Sequence, residues 1–181
     1  MELLIGEPLA LDLLNTRTRD LDVLDMPGDF QTWLARQAGR LDPPSGPLGP
    51  EGLAAVRSLR GHVAAALDAV RAGDPPPAAA LAAINEAARA APAYRVLEWR
   101  DGGPRVRAER DGDAPAALLA QLAEAAVDLL ADPAATRVRG CEGPGCLLLF
   151  LPAHPRRRWC SPDLCGNRVR VARHYRRRKE A

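Results

Sequence analysis

The sequence predicts an α+β fold, in which a mainly helical N-terminal domain with a small β-hairpin precedes a small C-terminal module that ends in a basic helix. Apolar residues recur at helical spacing through most of residues 1–135. All four cysteines lie in residues 136–181. Charge divides the chain at the same place. Residues 137–181 contain 12 basic and three acidic residues, a net charge of +9, whereas residues 1–136 contain 13 basic and 20 acidic residues, a net charge of −7.

The first 40 residues predict two helices. The segment PLALDLLNT places its leucines on one stripe. Asp29 is the predicted N-cap of the second helix, FQTWLARQA, and Gly39 is predicted to stop it. The Pro/Gly-rich segment 42–52 predicts a loop.

The rest of the N-terminal domain alternates between clear helical and strand patterns. Apolar spacing predicts helices over 53–73, 78–91 and 115–132. Between the last two, residues 94–111 alternate in the manner of strands around DGG, which is typical of a β-hairpin turn. Aromatic residues make up only 4% of the chain, so leucine, alanine and valine must form the core. We expect the domain boundary between 133 and 136.

The cysteines form two pairs, with the pattern C-x4-C, thirteen residues, C-x4-C. Paired thiolates on tight turns are typical of a structural zinc site, which four sulfurs complete tetrahedrally. The alternatives are two disulfides or four unrelated buried thiols. Because four thiolates leave no open position for water, and the H-x-E and P-C-x-x-C signature of zinc deaminases is missing, we expect a small zinc-finger module and no enzyme. The predicted ligands of one zinc ion are Cys141, Cys146, Cys160 and Cys165.

The histidines and the N-terminus add two expectations. His154 and His174 lie near the cysteines, but the four sulfurs already complete the zinc shell. The N-terminus begins MELLIGEPL, with acidic residues and no basic segment, so it does not resemble a signal peptide. No run of eighteen apolar residues predicts a membrane span. We therefore expect a cytoplasmic protein, in which disulfides are disfavoured.

The arginines of the C-terminal module predict binding to a polyanion. A helix over 168–179 places Val169 and Tyr175 in one arc and several arginines on the opposite face. Arg168 falls in the apolar arc beside the cysteines, where we expect it to hold backbone carbonyls. Arginine binds phosphates bidentately, and the scarcity of aromatic residues favours duplex DNA over single strands. The predicted nucleic-acid contacts are Arg156, Arg157, Arg158, Arg170, Arg173, Arg176 and Arg177.

Two stretches of the sequence resemble known families. The pattern C-x4-C, a phenylalanine, RRRWCS-x3-CGNR and a basic helix resembles the CGNR zinc finger, with Phe150 at the aromatic position. LALDLLNT and MPGDFQTWL resemble the ABATE domain, which precedes that finger in bacterial proteins assigned to stress-induced transcription regulation. The resemblance implies a bacterial DNA-binding regulator whose N-terminal domain senses a signal or assembles subunits. It also implies that the four cysteines bind zinc.

Several functions remain open at this point. A DNA-binding transcription regulator, which we expect to be a homodimer with an unknown small-molecule effector, is the first. An RNA-binding factor and a zinc-stabilised protein-interaction module are the alternatives, and a solvated basic tail would need no ligand. Asn15 and Thr16 end the first apolar helix, where they either line a ligand pocket or form a helix C-cap and turn.

Overall fold

The computed structural model describes residues 5–42, 44 and 46–171. It confirms an α+β fold with one β-hairpin in the helical part. The helices are α1 (Leu9–Leu14), α2 (Pro27–Arg36), α3 (Pro50–Ala72), α4 (Ala78–Ala90) and α5 (Ala114–Ala131), and the strands are β1 (Ala93–Arg100), β2 (Gly103–Arg110), β3 (Arg139–Gly140) and β4 (Leu149–Phe150). Short 3₁₀ helices cover Val23–Asp25 and Pro133–Arg137.

The core of the helical part forms around α5, which packs against α1, α3 and α4. Its inward stripe includes Leu118, Leu122 and Ala126, which are fully buried. The opposing stripe of α3 includes Val56, Val63 and Leu67, at the helical spacing that the sequence predicts. This shared core fixes the ends of α1 and α3, on which the C-terminal module rests.

The second helix begins earlier than predicted. It starts at Pro27, with Met26 as its N-cap, so the prediction of Asp29 as the cap is wrong. Proline suits the first helical position because its fixed φ is already helical and its missing N–H has no partner to lose there. Asp29 instead lies in the first turn, where its charge complements the helix dipole. The helix ends at Arg36, and Gly39 adopts a φ of +80° in the following turn.

The strands β1 and β2 form the predicted antiparallel hairpin. Its two-residue turn places Asp101 and Gly102 at φ values of 54° and 76°, the left-handed conformation that such hairpin turns need. The register pairs Leu97 with Val106 and Trp99 with Pro104, so these residues share one face. Leu97 and Trp99 are 73% and 76% exposed, so that face lies uncovered in the structure.

Within the described ranges, α5 is the helix that is long and apolar enough to cross a membrane, with a mean hydropathy of 1.4. It packs against three other helices, and 33% of it is buried.

Candidate metal centre and its attachment to the helical domain

The four cysteine sulfurs lie together, all within 4.8 Å of one another. The Sγ atoms of Cys146 and Cys160 are 4.0 Å apart. Zinc–sulfur bonds of about 2.3 Å in a tetrahedron place the sulfurs about 3.8 Å apart, so the cluster has the size of a zinc site. A disulfide would need sulfurs about 2.05 Å apart, and all four cysteines are free. The donor set therefore fits one zinc ion and not the two-disulfide alternative.

The first pair of cysteines lies on a tight turn between β3 and β4. The backbone N–H of Cys141 donates to the carbonyl of Leu148 over 2.9 Å, and that of Cys146 donates to the carbonyl of Gly143 over 3.0 Å. Residue 143 is glycine because the two turns approach each other closely there, and a Cβ would lie 2.9 Å from the sulfur of Cys165. The glycine thus lets the first turn press against the second pair.

In the second pair, Cys165 lies on a π-type turn, Pro162–Gly166, and Cys160 lies two residues before that turn. The N–H of Gly166 closes this turn by donating to the carbonyl of Ser161 over 3.0 Å. Cys160 and Cys165 are buried, and residues 167–171 continue as a helix. This is the described part of the helix predicted over 168–179, and its remainder lies outside the described residues.

Hydrogen-bond donors lie beside two of the cysteine sulfurs. The sulfur of Cys141 accepts from the backbone N–H of Gly143 over 3.4 Å and from that of Cys160 over 3.3 Å. The guanidinium of Arg168 donates to the sulfur of Cys165 over 3.2 Å and to the carbonyl of Pro144 over 3.4 Å. Arg168 thus holds a backbone carbonyl beside the cysteines, as the sequence predicts. Such second-shell donors orient metal ligands and tune their charge.

The cysteine pKa values show why this cluster needs a cation. Burial raises the pKa of Cys146 to about 11, and burial also raises the pKa of Cys160. Burial acts in the same sense on Cys141, but the N–H donors of Cys160 and Gly143 outweigh it and lower the pKa of that thiol. Without a metal, the thiols of Cys146 and Cys160 would hold their protons at neutral pH. A zinc ion displaces them and stabilises the buried thiolates.

The hydrophobic core of the module is very small, so the metal has a structural task. Besides the cysteines, it contains Leu148 and Phe150, with Trp159 packed against them. Such a core is too small to fold a segment of this length, and a structural zinc ion supplies the missing free energy. His154 stays outside the cluster, where its Nδ1 accepts from the backbone N–H of Arg156 over 3.1 Å. His174 lies outside the described residues.

Arg157, which the sequence predicts as a nucleic-acid contact, is partly buried and bound by groups of the protein itself. Its guanidinium lies 4.4 Å from the ring centroid of Phe150. It also donates to the carbonyl of Trp159 over 3.1 Å and to the carboxylate of Glu7 over 2.6 Å. Because these contacts occupy most of its donors, Arg157 holds the module together and to the helical domain. Its predicted contact with nucleic acid stays a prediction.

The neighbouring arginines stay on the surface. Arg156 and Arg158 are exposed, and Arg158 forms an ion pair with Glu142 on the surface. Arg170 is also exposed, with weak contacts of 3.4 Å to the carbonyl of Pro162 and 3.3 Å to Asn167. The other predicted contacts, Arg173, Arg176 and Arg177, lie outside the described residues.

Asn15 attaches the helical domain to β4. Its side-chain amide donates to the carbonyl of Leu149 over 2.9 Å and accepts from the N–H of the same residue over 2.8 Å. Asn15 is also the C-cap of α1. Thr16 is equally occupied, since its hydroxyl donates to the carbonyl of Leu13 over 2.6 Å and accepts from Arg60 over 2.8 Å. The polar atoms of both residues are thus used internally, in agreement with the C-cap alternative.

A second attachment runs through Glu7, which the sequence analysis did not single out. Besides binding Arg157, its carboxylate accepts from the backbone N–H of Leu151 over 2.9 Å. The backbone of Glu7 is held in turn by the buried Asp12, which accepts from its N–H over 3.2 Å and from that of Gly6 over 3.0 Å. Arg40 pairs with Asp12. The signal for this attachment in the sequence is Asp12, an acidic residue inside the apolar run LALDLL.

Two protein-family models match different parts of the chain. A family model called ABATE, described as "Putative stress-induced transcription regulator", matches residues 7–133. The model of the CGNR zinc finger matches residues 137–178. Neither is an enzyme family. A search of curated proteins gave no match to the chain. The clustered cysteines and the zinc-finger match support one structural zinc ion as the cofactor. The chain belongs to the ABATE family, with a CGNR zinc finger as its C-terminal module.

Proposed function

We propose that this protein is a cytoplasmic transcription regulator that binds duplex DNA through its zinc module. The observation that carries the proposal is the exposed set of guanidinium groups around the metal centre, namely Arg156, Arg158 and Arg170. The tetrathiolate site fixes the backbone that bears them, so they need little ordering on binding. Guanidinium groups bind phosphates bidentately and can read guanine in the major groove.

The charge distribution supports the same proposal. The segment 137–181 has 12 basic and three acidic residues, whereas the rest of the chain has 13 basic and 20 acidic residues. Because the net charge of the rest of the chain repels a polyanion, the basic module is the part that we expect to face it first. Surface ion pairs such as Arg158–Glu142 contribute little stability and can be exchanged for a phosphate at low cost.

The helical domain holds the zinc module, and we propose that it also assembles subunits or senses a signal. The hydrogen bonds of Glu7 and Asn15 fix the module to the helical core, so a change in that core would move the arginines. A module of this size buries only about 600–1,000 Å² on DNA, so a homodimer is expected to provide useful affinity. A small-molecule effector remains part of the proposal, although Asn15 and Thr16 use their polar atoms internally.

Salt dependence of binding tests the proposal. Zinc-loaded protein is titrated with fluorescent duplex DNA, first random and then selected from genomic fragments, at increasing salt. About five phosphate contacts would give a slope of log K against log salt near −4 to −5. The double variant Arg158→Ala, Arg170→Ala should weaken binding and flatten the slope by about 2. The exposed Arg95, on the hairpin, offers a matched control, and Arg95→Ala should leave both unchanged.

Two results would overturn the proposal. The first is no binding to duplex DNA at low salt, and the second is binding that does not depend on salt. Competition with structured RNA separates the RNA-binding alternative, which requires RNA to displace the duplex at equal nucleotide concentration. If a protein partner remained bound after nuclease treatment and competed with DNA, the interaction-module alternative would be favoured.

A further inference from the structure

A cleft of about 850 Å³ lies between the helical domain and the zinc module. One wall is the loop 17–22 that follows α1, and another is the face of α3 that bears Arg57 and Arg60. Leu147 and Leu149 of the zinc module close the third side. The cleft is therefore formed by both family units and opens beside the first cysteine turn.

Most charged groups of the cleft neutralise one another. Arg60 binds Asp22 through both guanidinium nitrogens, and Arg57 pairs with Asp25 over 3.2 Å. Asp68 pairs over 3.1 Å with Arg71, which lies outside the cleft lining. These pairs contribute no net charge that a ligand would meet.

Two further arginines of the cleft have no such partner. Arg17 and Arg19 are exposed, and among the described residues their side chains make no hydrogen bond or ion pair. Asp20 is the carboxylate of the cleft that also lacks an ion pair within the described ranges. Among the charged groups of the cleft without an ion pair, two guanidinium groups thus stand against one carboxylate, in a domain whose net charge is strongly negative.

The loop that carries these arginines is well ordered by its own hydrogen bonds. Arg17 and Asp22 form an antiparallel bridge, and the backbone N–H of Thr18 donates to the carbonyl of Leu21 over 2.8 Å. The hydroxyl of Thr18 also accepts from the N–H of Leu21 over 3.1 Å. The loop thus presents Arg17 and Arg19 from a fixed backbone, with little entropy to lose on binding.

The loop also brings Arg19 against the zinc module. A Cβ at Gly145 would lie only 2.8 Å from the Nη1 atom of Arg19. Arg168 donates to the carbonyl of the adjacent Pro144 over 3.4 Å. The first cysteine turn is therefore flanked by one guanidinium from each family unit, and Arg19 extends the basic surface of the module.

We propose that Arg17 and Arg19 of the helical domain contact the phosphate backbone of DNA next to the zinc module. This inference rests on the proposed function, and it makes the nucleic-acid surface a joint property of both units. Charge complementarity selects the occupant, since unpaired guanidinium groups beside a basic module fit successive phosphates of one strand.

The test compares the double variant Arg17→Ala, Arg19→Ala with wild-type zinc-loaded protein in the DNA titration. Two lost phosphate contacts should make the salt slope shallower by about 2 and weaken binding at low salt. The double variant Arg17→Lys, Arg19→Lys should recover most of the salt slope, because lysine keeps the positive charge. Arg89→Ala is the matched control, because Arg89 is exposed on α4 and does not line the cleft. Zinc content and melting temperature should not change in any variant.

The outcomes separate this inference from the proposed function. If wild-type protein binds DNA with a steep slope and the alanine variant does the same, the inference is wrong and the proposed function stands. If wild-type protein does not bind DNA, both fail. Inorganic phosphate provides a third arm. If it raises the melting temperature of wild-type protein through Arg17 and Arg19 while the variant keeps full DNA affinity, the cleft binds a small anion and the inference is overturned.

Discussion

Replacing Asn15 by alanine tests whether docking of β4 on the helical domain stabilises the folded chain. The side chain makes two hydrogen bonds of 2.9 and 2.8 Å with the carbonyl and N–H of Leu149, and the residue is only 3% exposed. The variant leaves both peptide groups without these partners, and each loss at a buried site costs about 1–3 kcal/mol. Since Leu149 is only partly buried, water will satisfy some of this loss. We expect the free energy of unfolding to fall by about 2–4 kcal/mol.

Thermal unfolding followed by circular dichroism and tryptophan fluorescence measures this loss. In a chain of this length the melting temperature should fall by about 4–15 °C. Asn85→Ala is the matched control, because Asn85 is exposed on α4, and its effect should stay within about 0.5 kcal/mol. The zinc content of both variants is checked first. If Asn15→Ala unfolds at the temperature of the control while both are zinc-loaded, the two hydrogen bonds do not stabilise the fold and the reasoning fails.

Two further variants test the metal centre and a buried ion pair. Gly143→Ala places a Cβ 2.9 Å from the sulfur of Cys165, so zinc affinity should fall by about 10–100-fold. Competition with a chromophoric chelator measures this affinity. Gly140→Ala is the control and should keep it, because a Cβ at residue 140 would meet nothing within 4 Å. Burial acts to raise the pKa of Asp22, but the hydrogen bonds and charge of Arg60 outweigh it, so the pKa lies below its ordinary value of 3.8. Asp22 therefore adds stability above that pH and loses it as the pH falls further. Asp22→Asn should lower the melting temperature at neutral pH and flatten its decline in acid; an unchanged acid limb would contradict this.

The helices and the hairpin were predictable because their signals are local. The apolar stripe of α3 predicted a helix over 53–73, and the structure gives Pro50–Ala72. The hairpin turn was predictable because DGG supplies the residues that tolerate positive φ. The start of α2 was predicted wrongly because Asp29 and Pro27 both signal a helix start, and proline at the first helical position prevailed.

The cysteine cluster was predictable for the same reason, since paired ligands on short turns are a local pattern. The attachment of the zinc module was not. Glu7 binds Arg157 across 150 residues of sequence, and no periodicity links positions so far apart. Arg156 and Arg157 are also identical neighbours in the sequence. Only the fold shows that Arg156 is exposed and that Arg157 contacts Phe150 and Glu7.

The division of work among these arginines explains why the module combines a metal ion with docking. Its core is too small to hold a guanidinium inward by packing alone, so Arg157 is held by Glu7 of the helical domain and Arg168 by the sulfur of Cys165. Both arginines thereby bind an acceptor group, the carboxylate of Glu7 for one and the sulfur of Cys165 for the other. Positive groups that are neutralised in this way do not repel the outward ones. The exposed Arg156 and Arg170 therefore keep their charge for a polyanion, whereas Arg157 and Arg168 are used within the protein.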